Sequence, residues 1–309
     1  MKSKKLQPLL LQDTIALLAS AGIFSRENLE KQLMHLEDFP FQWWYSKDLF
    51  KETRYTRQKN LTYLAGCDDV RARELNHAFQ DPKIKALLFV RGGYGTQRLF
   101  PYLKNIKPKL VMGSSDLTSL NLYLWKKFKM KSIYGPMVLP HFQDPTTQRR
   151  VVSALTDPRY FESQKVKGKK LVLQSGKNPS KESRLIGGCL SLITASLGTE
   201  WEIETKDSIL FMEDVNEPPY KVDRMLTQLL QSGKLDEVKG FVLGTFKLRD
   251  DYFPREIFDV IYDRLKGLNQ PILWGVPFGH HHQPLLIPVG GHGVIHGNEL
   301  KILEGVYET

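Results

Sequence analysis

Two short apolar runs, residues 85–90 (KALLFV) and 109–112 (KLVM), constrain the fold of this chain most tightly. Both are continuous rather than alternating, and both are too short to stand alone as helices. That pattern predicts strands covered on both faces. Helical periodicity surrounds them. Over 68–79, Ala72, Leu75 and Phe79 fall near one face, with Asp69, Arg73 and Gln80 near the other. A second helix is expected over 117–128. Upstream, 14–20 reads as a strand after a turn at Gln12-Asp13, 25–35 as a helix capped by Ser25, and 41–45 as a further strand. This βαβα rhythm predicts an α/β architecture with a mostly parallel sheet and helices on both faces.

The chain has 309 residues, enough for roughly two domains. Its 41% hydrophobic and 25% charged composition excludes a disordered or collagen-like chain. No apolar run reaches the ~18 residues of a membrane span. Lys2, Lys4 and Lys5 precede an apolar stretch, but Gln7, Pro8, Gln12, Asp13 and Thr14 interrupt it, so a cytoplasmic chain without a targeting segment is expected. The cysteines, Cys67 and Cys189, lie far apart and outside any CxxC pattern, as free thiols of a reducing compartment do.

The pattern changes after Pro136. Residues 141–183 read as a connecting helix followed by exposed linker and edge structure, with Lys165, Lys167, Lys169, Lys170, Lys177 and Lys181 forming a solvated face. The expected division is therefore 1–140, a connecting segment 141–183, and 184–309. In the last part, Gly187-Gly188 leads into a helix over 190–197. Strands follow at 208–213, 240–244 and 272–275, helices at 220–232 and 256–265, and a glycine-rich β-like end runs to about 307.

Four loops at the ends of predicted strands carry candidate chemistry. Gly113-Ser114-Ser115-Asp116 joins a buried strand to a helix, a turn that lifts a serine hydroxyl toward helix N-terminal N–H groups. Taken alone the turn reads more simply as an ordinary N-cap, and Leu117 replaces the second glycine of G-x-S-x-G. Arg91-Gly92-Gly93-Tyr94-Gly95 follows a strand and allows close backbone approach to an oxyanion, or is a tight turn. In Glu213-Asp214-Val215-Asn216-Glu217-Pro218-Pro219, the two prolines should stiffen the loop and hold Glu217 where it can orient an imidazole. A solvated acidic loop, or a divalent-ion site of Glu213, Asp214 and Glu217, fits the same residues. Gly279-His280-His281-His282 supplies a base, though three successive histidines also suggest metal. Taken together, a serine, a carboxylate and a histidine are the constellation of nucleophilic acyl transfer.

These motifs also carry a resemblance. Tyr63-Leu64-Ala65-Gly66 with Asp68 and Arg71, the 91–95 glycine loop with Arg98-Leu99, and Gly113-x-Ser115-Asp116-x-Thr118 resemble the LD-carboxypeptidase family, which includes microcin-immunity serine peptidases. So do Gly135-Pro136-Met137, Gly187-Gly188-x-Leu190, Glu213-Asp214-x-x-Glu217-x-x-Tyr220, Asp223-Arg224-x-Leu226 and Pro277-x-Gly279-His280, in consistent order from about 13 to 290. The resemblance implies an N-terminal α/β domain like class I glutamine amidotransferases and a C-terminal swivelling β/β/α domain, with the active site between them. It implies Ser115 as nucleophile, His280 as base and Glu217 as orienting acid, with backbone N–H groups of Asp116 and Gly93 as the oxyanion hole. The implied reaction removes terminal D-alanine from a murein tetrapeptide, free or sugar-linked, in a cytoplasmic homodimer that needs no cofactor or metal. Arg91 is a candidate for binding the substrate carboxylate, and Arg98 flanks the same loop. Gln12-Asp13 and Ala19-Ser20 depart from the family's usual Gly-Asp and Pro-Ser, and His281 and His282 lie outside its motif.

Two other readings remain. A related peptidase or amidase acting on a peptide–nucleotide conjugate would share the triad. A basic anion-binding protein would use the net charge of +10, but no helix-turn-helix, RNP or zinc-finger pattern accompanies that charge, so neither nucleic acid nor a membrane is an expected partner.

Overall fold

The computed structural model describes residues 6–37, 39–50, 61–171, 180–248 and 254–307. Among these, the strands form two sheets. In the first, β1 (Thr14–Leu18) lies between β2 (Gln42–Trp44) and β3 (Ile84–Phe89), followed by β4 (Leu110–Met112) and β5 (Ser132–Tyr134), all parallel. Helices α1 (Arg26–Leu36), α2 (Asp68–Gln80) and α3 (Leu117–Phe128) supply the crossovers. The continuous apolar runs are explained by this arrangement. Residues of β3 and β4 alternate between two separate apolar clusters, one on each face of the sheet. Ser25 caps α1 through its side chain, which accepts from Asn28 N–H at 3.3 Å.

Short helices α4 (Val138–His141), α5 (Pro145–Thr156) and α6 (Tyr160–Ser163) lead to the second sheet. Its centre is parallel: β8 (Ser183–Cys189), β9 (Ser208–Val215), β10 (Gly240–Lys247) and β11 (Ile272–Trp274). Antiparallel strands complete it: β6 (Val166–Lys167), β7 (Lys169–Leu171), β13 (His292–His296) and β14 (Glu299–Glu304). Helices α7 (Leu190–Ala195), α8 (Pro219–Gln231) and α9 (Pro254–Leu265) connect its strands. On α8, Val222, Met225, Leu226 and Leu229 form the buried stripe read from the sequence.

The strand order β6-β14-β13-β8-β9-β10-β11-β7 has a geometric consequence. β6 and β7 occupy opposite edges, yet only Gly168 separates them in the chain. Their adjoining residues cannot be more than about 7.6 Å apart. The sheet therefore curls until its edges meet, which leaves neither edge long and open. Lys165, Lys167 and Lys169 are exposed at this seam, and Lys181 is exposed just before β8. Lys177 lies outside the described residues, as do Lys2, Lys4 and Lys5.

The sheets do not divide cleanly at residues 140 and 184. The expected connecting segment supplies both edges of the second sheet. In turn β12 (Ile287–Val289) returns to the first sheet and pairs antiparallel with β5. The first cluster of apolar side chains runs without interruption across both sheets. Cys67 and Cys189 are both buried and unbridged.

Candidate active site

Five strands end at one crevice, as expected for ligand sites in parallel α/β sheets. From the first sheet come the loops after β3, β4 and β5. From the second come the loop after β11, which brings His280 to the lining, and Glu213 near the end of β9 directly behind it. The resulting cleft of about 640 Å³ is lined by Ser115, His280, Arg91, Gly92, Gly93 and Lys31, among others.

Ser115 has φ +57°, the left-handed conformation that costs a residue with a side chain roughly 1–2 kcal/mol. This is the sharp strand-to-helix turn anticipated from Gly113-Ser114-Ser115-Asp116. Ser114 is buried, whereas Ser115 faces the cleft. The turn is braced from two sides. Asp116 Oδ2 accepts from Thr96 N–H at 2.8 Å, tying the start of α3 to the segment after the glycine loop. Burial holds the Asp116 carboxyl above the usual carboxylate range. Gly92 closes the other side. A Cβ on Gly92 would lie 2.9 Å from Ser115 Oγ and 2.8 Å from Ser115 Cβ, so the glycine permits the serine itself to approach. Gly93, the proposed oxyanion donor, sits in the same cleft with φ +113°.

His280 is half-buried, and Glu213 is fully buried beside it. Glu213 Oε2 accepts from His280 Nδ1 at 2.6 Å and from His280 backbone N–H at 3.1 Å. Burial alone would lower the imidazole's pKa, but the hydrogen bond and charge of Glu213, aided by Asp214, raise it above its ordinary 6.5. With Nδ1 engaged, Nε2 is the nitrogen left to exchange a proton with a nucleophile. Asp214 itself is pushed up to about 6, first by burial and then by the Glu213 charge. His141, close by, is pulled down to about 4 by burial and accepts Met137 N–H on Nδ1 at 3.1 Å.

The expectation for Glu217 is corrected here. The carboxylate on His280 is Glu213, not Glu217. The chain reverses at Asn216, whose φ is +61°, and Pro218-Pro219 then start α8. The two prolines therefore fix a helix start rather than a rigid arm toward the imidazole. Glu217 pairs with Lys221 at 3.5 Å and lines a small space with Val222, Phe246, Leu248 and Ile257. One sequence signal pointed to Glu213: it ends the apolar run SILFME, and a carboxylate inside a covered strand needs a partner.

Arg98 is also placed elsewhere. It clamps Asp68 at 2.6 Å together with Arg71, outside the cleft lining. Arg91 remains at the cleft, with Nη1 donating to Ile23 O at 3.1 Å. The sequence reading missed Tyr134 altogether. Its hydroxyl accepts Ser115 N–H at 3.1 Å and donates to Glu213 Oε1 at 2.5 Å.

Two sheets meeting at a cleft that holds Ser115 and His280 form a two-domain α/β fold, and its class is shown by comparison with known proteins. Residues 15–135 match the LD-carboxypeptidase N-terminal domain and residues 182–295 the LD-carboxypeptidase C-terminal domain. A putative carboxypeptidase of Synechocystis is 32% identical, with 95% of each chain covered. A probable murein peptide carboxypeptidase of Bacillus subtilis is 30% identical, covering 93% of this chain and 90% of its own. The crystal structure of a muramoyltetrapeptide carboxypeptidase from Oxalobacter formigenes superposes with a TM-score of 0.76 at 29% identity, covering 96% of this chain and all of the other. The chain belongs to the LD-carboxypeptidase family, a family of peptidases. Its fold is shared with the microcin C7 self-immunity protein, at a TM-score of 0.83 and 23% identity over 99% of this chain and all of the other. Among the described residues, no helix is long and apolar enough to cross a membrane.

Proposed function

We propose that this chain is a serine-type LD-carboxypeptidase that removes the terminal D-alanine from a murein tetrapeptide. The observation that carries the reading is the 2.6 Å pair of His280 Nδ1 and Glu213 in one crevice with the strained Ser115. His280 Nε2 takes the Ser115 proton as Oγ bonds to the scissile carbonyl carbon. The proton then passes to the departing amine of D-alanine, and the C–N bond breaks. Water, deprotonated by the same nitrogen, releases the tripeptide from the serine ester. Ser115 N–H is already spent on Tyr134, which supports Asp116 N–H and Gly93 N–H as the oxyanion donors. Arg91 lines the cleft and supplies positive charge for the substrate carboxylates. A homodimer in the cytoplasm, acting without metal in cell-wall recycling, goes with this reading on the family resemblance alone.

The test is a panel of peptides followed by mass spectrometry: free tetrapeptide, disaccharide-tetrapeptide, pentapeptide, and tetrapeptides ending in L-alanine or an amide. Loss of one residue from the first two alone is expected. Equal rates on the L-terminal or amidated peptides overturn the carboxypeptidase assignment. Exclusive cleavage of an aminoacyl–nucleotide conjugate would instead assign the microcin-type activity.

A further inference from the structure

We infer that Tyr134 is a positioning residue for this reaction: its phenol locks the nucleophile turn of one sheet to the orienting carboxylate of the other. The inference rests on the roles of Ser115, His280 and Glu213 proposed above. Tyr134 ends β5 in the first sheet and is fully buried. Glu213 belongs to β9 in the second sheet and is equally buried. The hydroxyl accepts Ser115 N–H at 3.1 Å, so its own proton is committed to Glu213 Oε1 at 2.5 Å. Hydrogen bonds thus converge on the carboxylate from both sides: Ser115 N–H donates to the phenol and the phenol to Glu213 Oε1, while the His280 imidazole donates to Oε2. The ring is held by packing against Phe211 of β9 and Phe278 of the loop after β11, at 5.6 and 6.3 Å between centroids.

Two consequences follow for chemistry. Glu213 has two oxygens, and Tyr134 occupies one while both bonds to His280 use the other. The carboxylate therefore presents one defined edge to the imidazole. The phenol's hydrogen bond also draws charge away from the carboxylate, which weakens its pull on the proton at His280 Nδ1. Burial, followed by the Glu213 charge, keeps the phenol protonated far above neutral pH, so it acts as a fixed donor. The other groups facing the pair are Asp214 on β9, Cys189 at the end of β8, Lys247 at the end of β10 and His141 of α4. None of them donates to Glu213 Oε1 among the described hydrogen bonds.

Tyr134→Phe removes the hydroxyl and retains the ring. We expect kcat to fall roughly 10–100-fold with KM nearly unchanged, because the phenol touches no substrate and a small misplacement is costly. The acid limb of the kcat/KM profile should move upward by about half a unit or more. Replacing Tyr134 by 3-fluorotyrosine preserves packing and strengthens donation, so the limb should move downward instead. The losses in Tyr134→Phe and Glu213→Gln should combine less than multiplicatively. Nitrogen-15 NMR of the His280 imidazole reads the pair without substrate. Its midpoint should move up in the phenylalanine variant and down in the fluorinated protein. Unmoved midpoints in both, or a full multiplicative loss with no limb shift, overturn the inference. Failure of wild-type protein on every tetrapeptide would overturn the functional reading instead, while the NMR titration still decides Tyr134.

Discussion

Gly279 lies directly against the carboxylate of Glu213. A Cβ at position 279 would overlap Glu213 Cδ, Cγ and Oε2, and the backbone there has φ +77°. The glycine thus lets the loop after β11 press His280 onto the carboxylate. Gly279→Ala should reduce activity by more than about 100-fold, through displacement of His280 by the order of an ångström. The left-handed φ alone should cost roughly 1–2 kcal/mol. Steady-state rates and guanidinium unfolding check both effects, and near-wild-type activity would refute the contact.

Glu213→Gln and Glu217→Gln separate the two carboxylates. An amide at 213 can turn its NH2 toward the imidazole and hold the wrong tautomer, and it carries no charge to stabilise an imidazolium. Activity should drop on the order of 10²–10⁴-fold with the fold intact by circular dichroism. Glu217→Gln loses a partly exposed ion pair with Lys221, so its activity should stay within about threefold of wild type. The reverse order would restore Glu217 as the orienting acid.

Ser115→Gly should abolish turnover yet stabilise the chain. The left-handed turn strains serine and suits glycine. A gain of about 1 kcal/mol in chemical denaturation is expected beside an activity loss of several orders of magnitude. Destabilisation with activity retained would remove Ser115 from the nucleophile role.

Glu213 raises His280 above its ordinary value, and this sets a pH signature. Only the neutral imidazole accepts the serine proton, so kcat/KM should fall as pH drops through a value above 6.5. Stability runs the other way. The folded state binds this proton more tightly than the unfolded chain does. The His280 contribution is therefore complete below about 6.5 and lost as pH rises through the folded value. Profiles of rate and of unfolding free energy, each compared with His280→Gln, test the pair. A flat rate from pH 5 to 8 would count against His280 as base.

Arg71→Met should unfold the glycine-loop side of the first sheet. The guanidinium is fully buried and donates to the carbonyls of Gly66, Ser20 and Gly95, and to Asp68. Burial lowers its proton affinity, against the pull of Asp68. Removing it strands the carbonyls of Ser20 and Gly66, leaves Gly95 O with its bond from Arg98 N–H, and unbalances the Asp68–Arg98 pair. A loss of about 3–5 kcal/mol is expected in urea unfolding. A change under about 1 kcal/mol would show that water replaces the clamp.

The sequence alone determined the elements and the loops that could carry chemistry. The 85–90 and 109–112 runs became β3 and β4, and the Gly-Ser-Ser-Asp turn became the left-handed Ser115, because apolar period and turn chemistry act over a few residues. Only the tertiary structure decided which carboxylate serves the imidazole. Glu213 and His280 stand 67 positions apart, and their meeting depends on the parallel register of β9, β10 and β11. The same holds for Tyr134, 79 residues from Glu213 on another sheet. It holds too for β12, which crosses back to pair with β5. Only three residues separate Glu213, in β9, from Glu217, just before α8. The apolar run that ends at Glu213 hints at a buried acid there, but only burial and sheet pairing bring that carboxylate, and not Glu217, to His280.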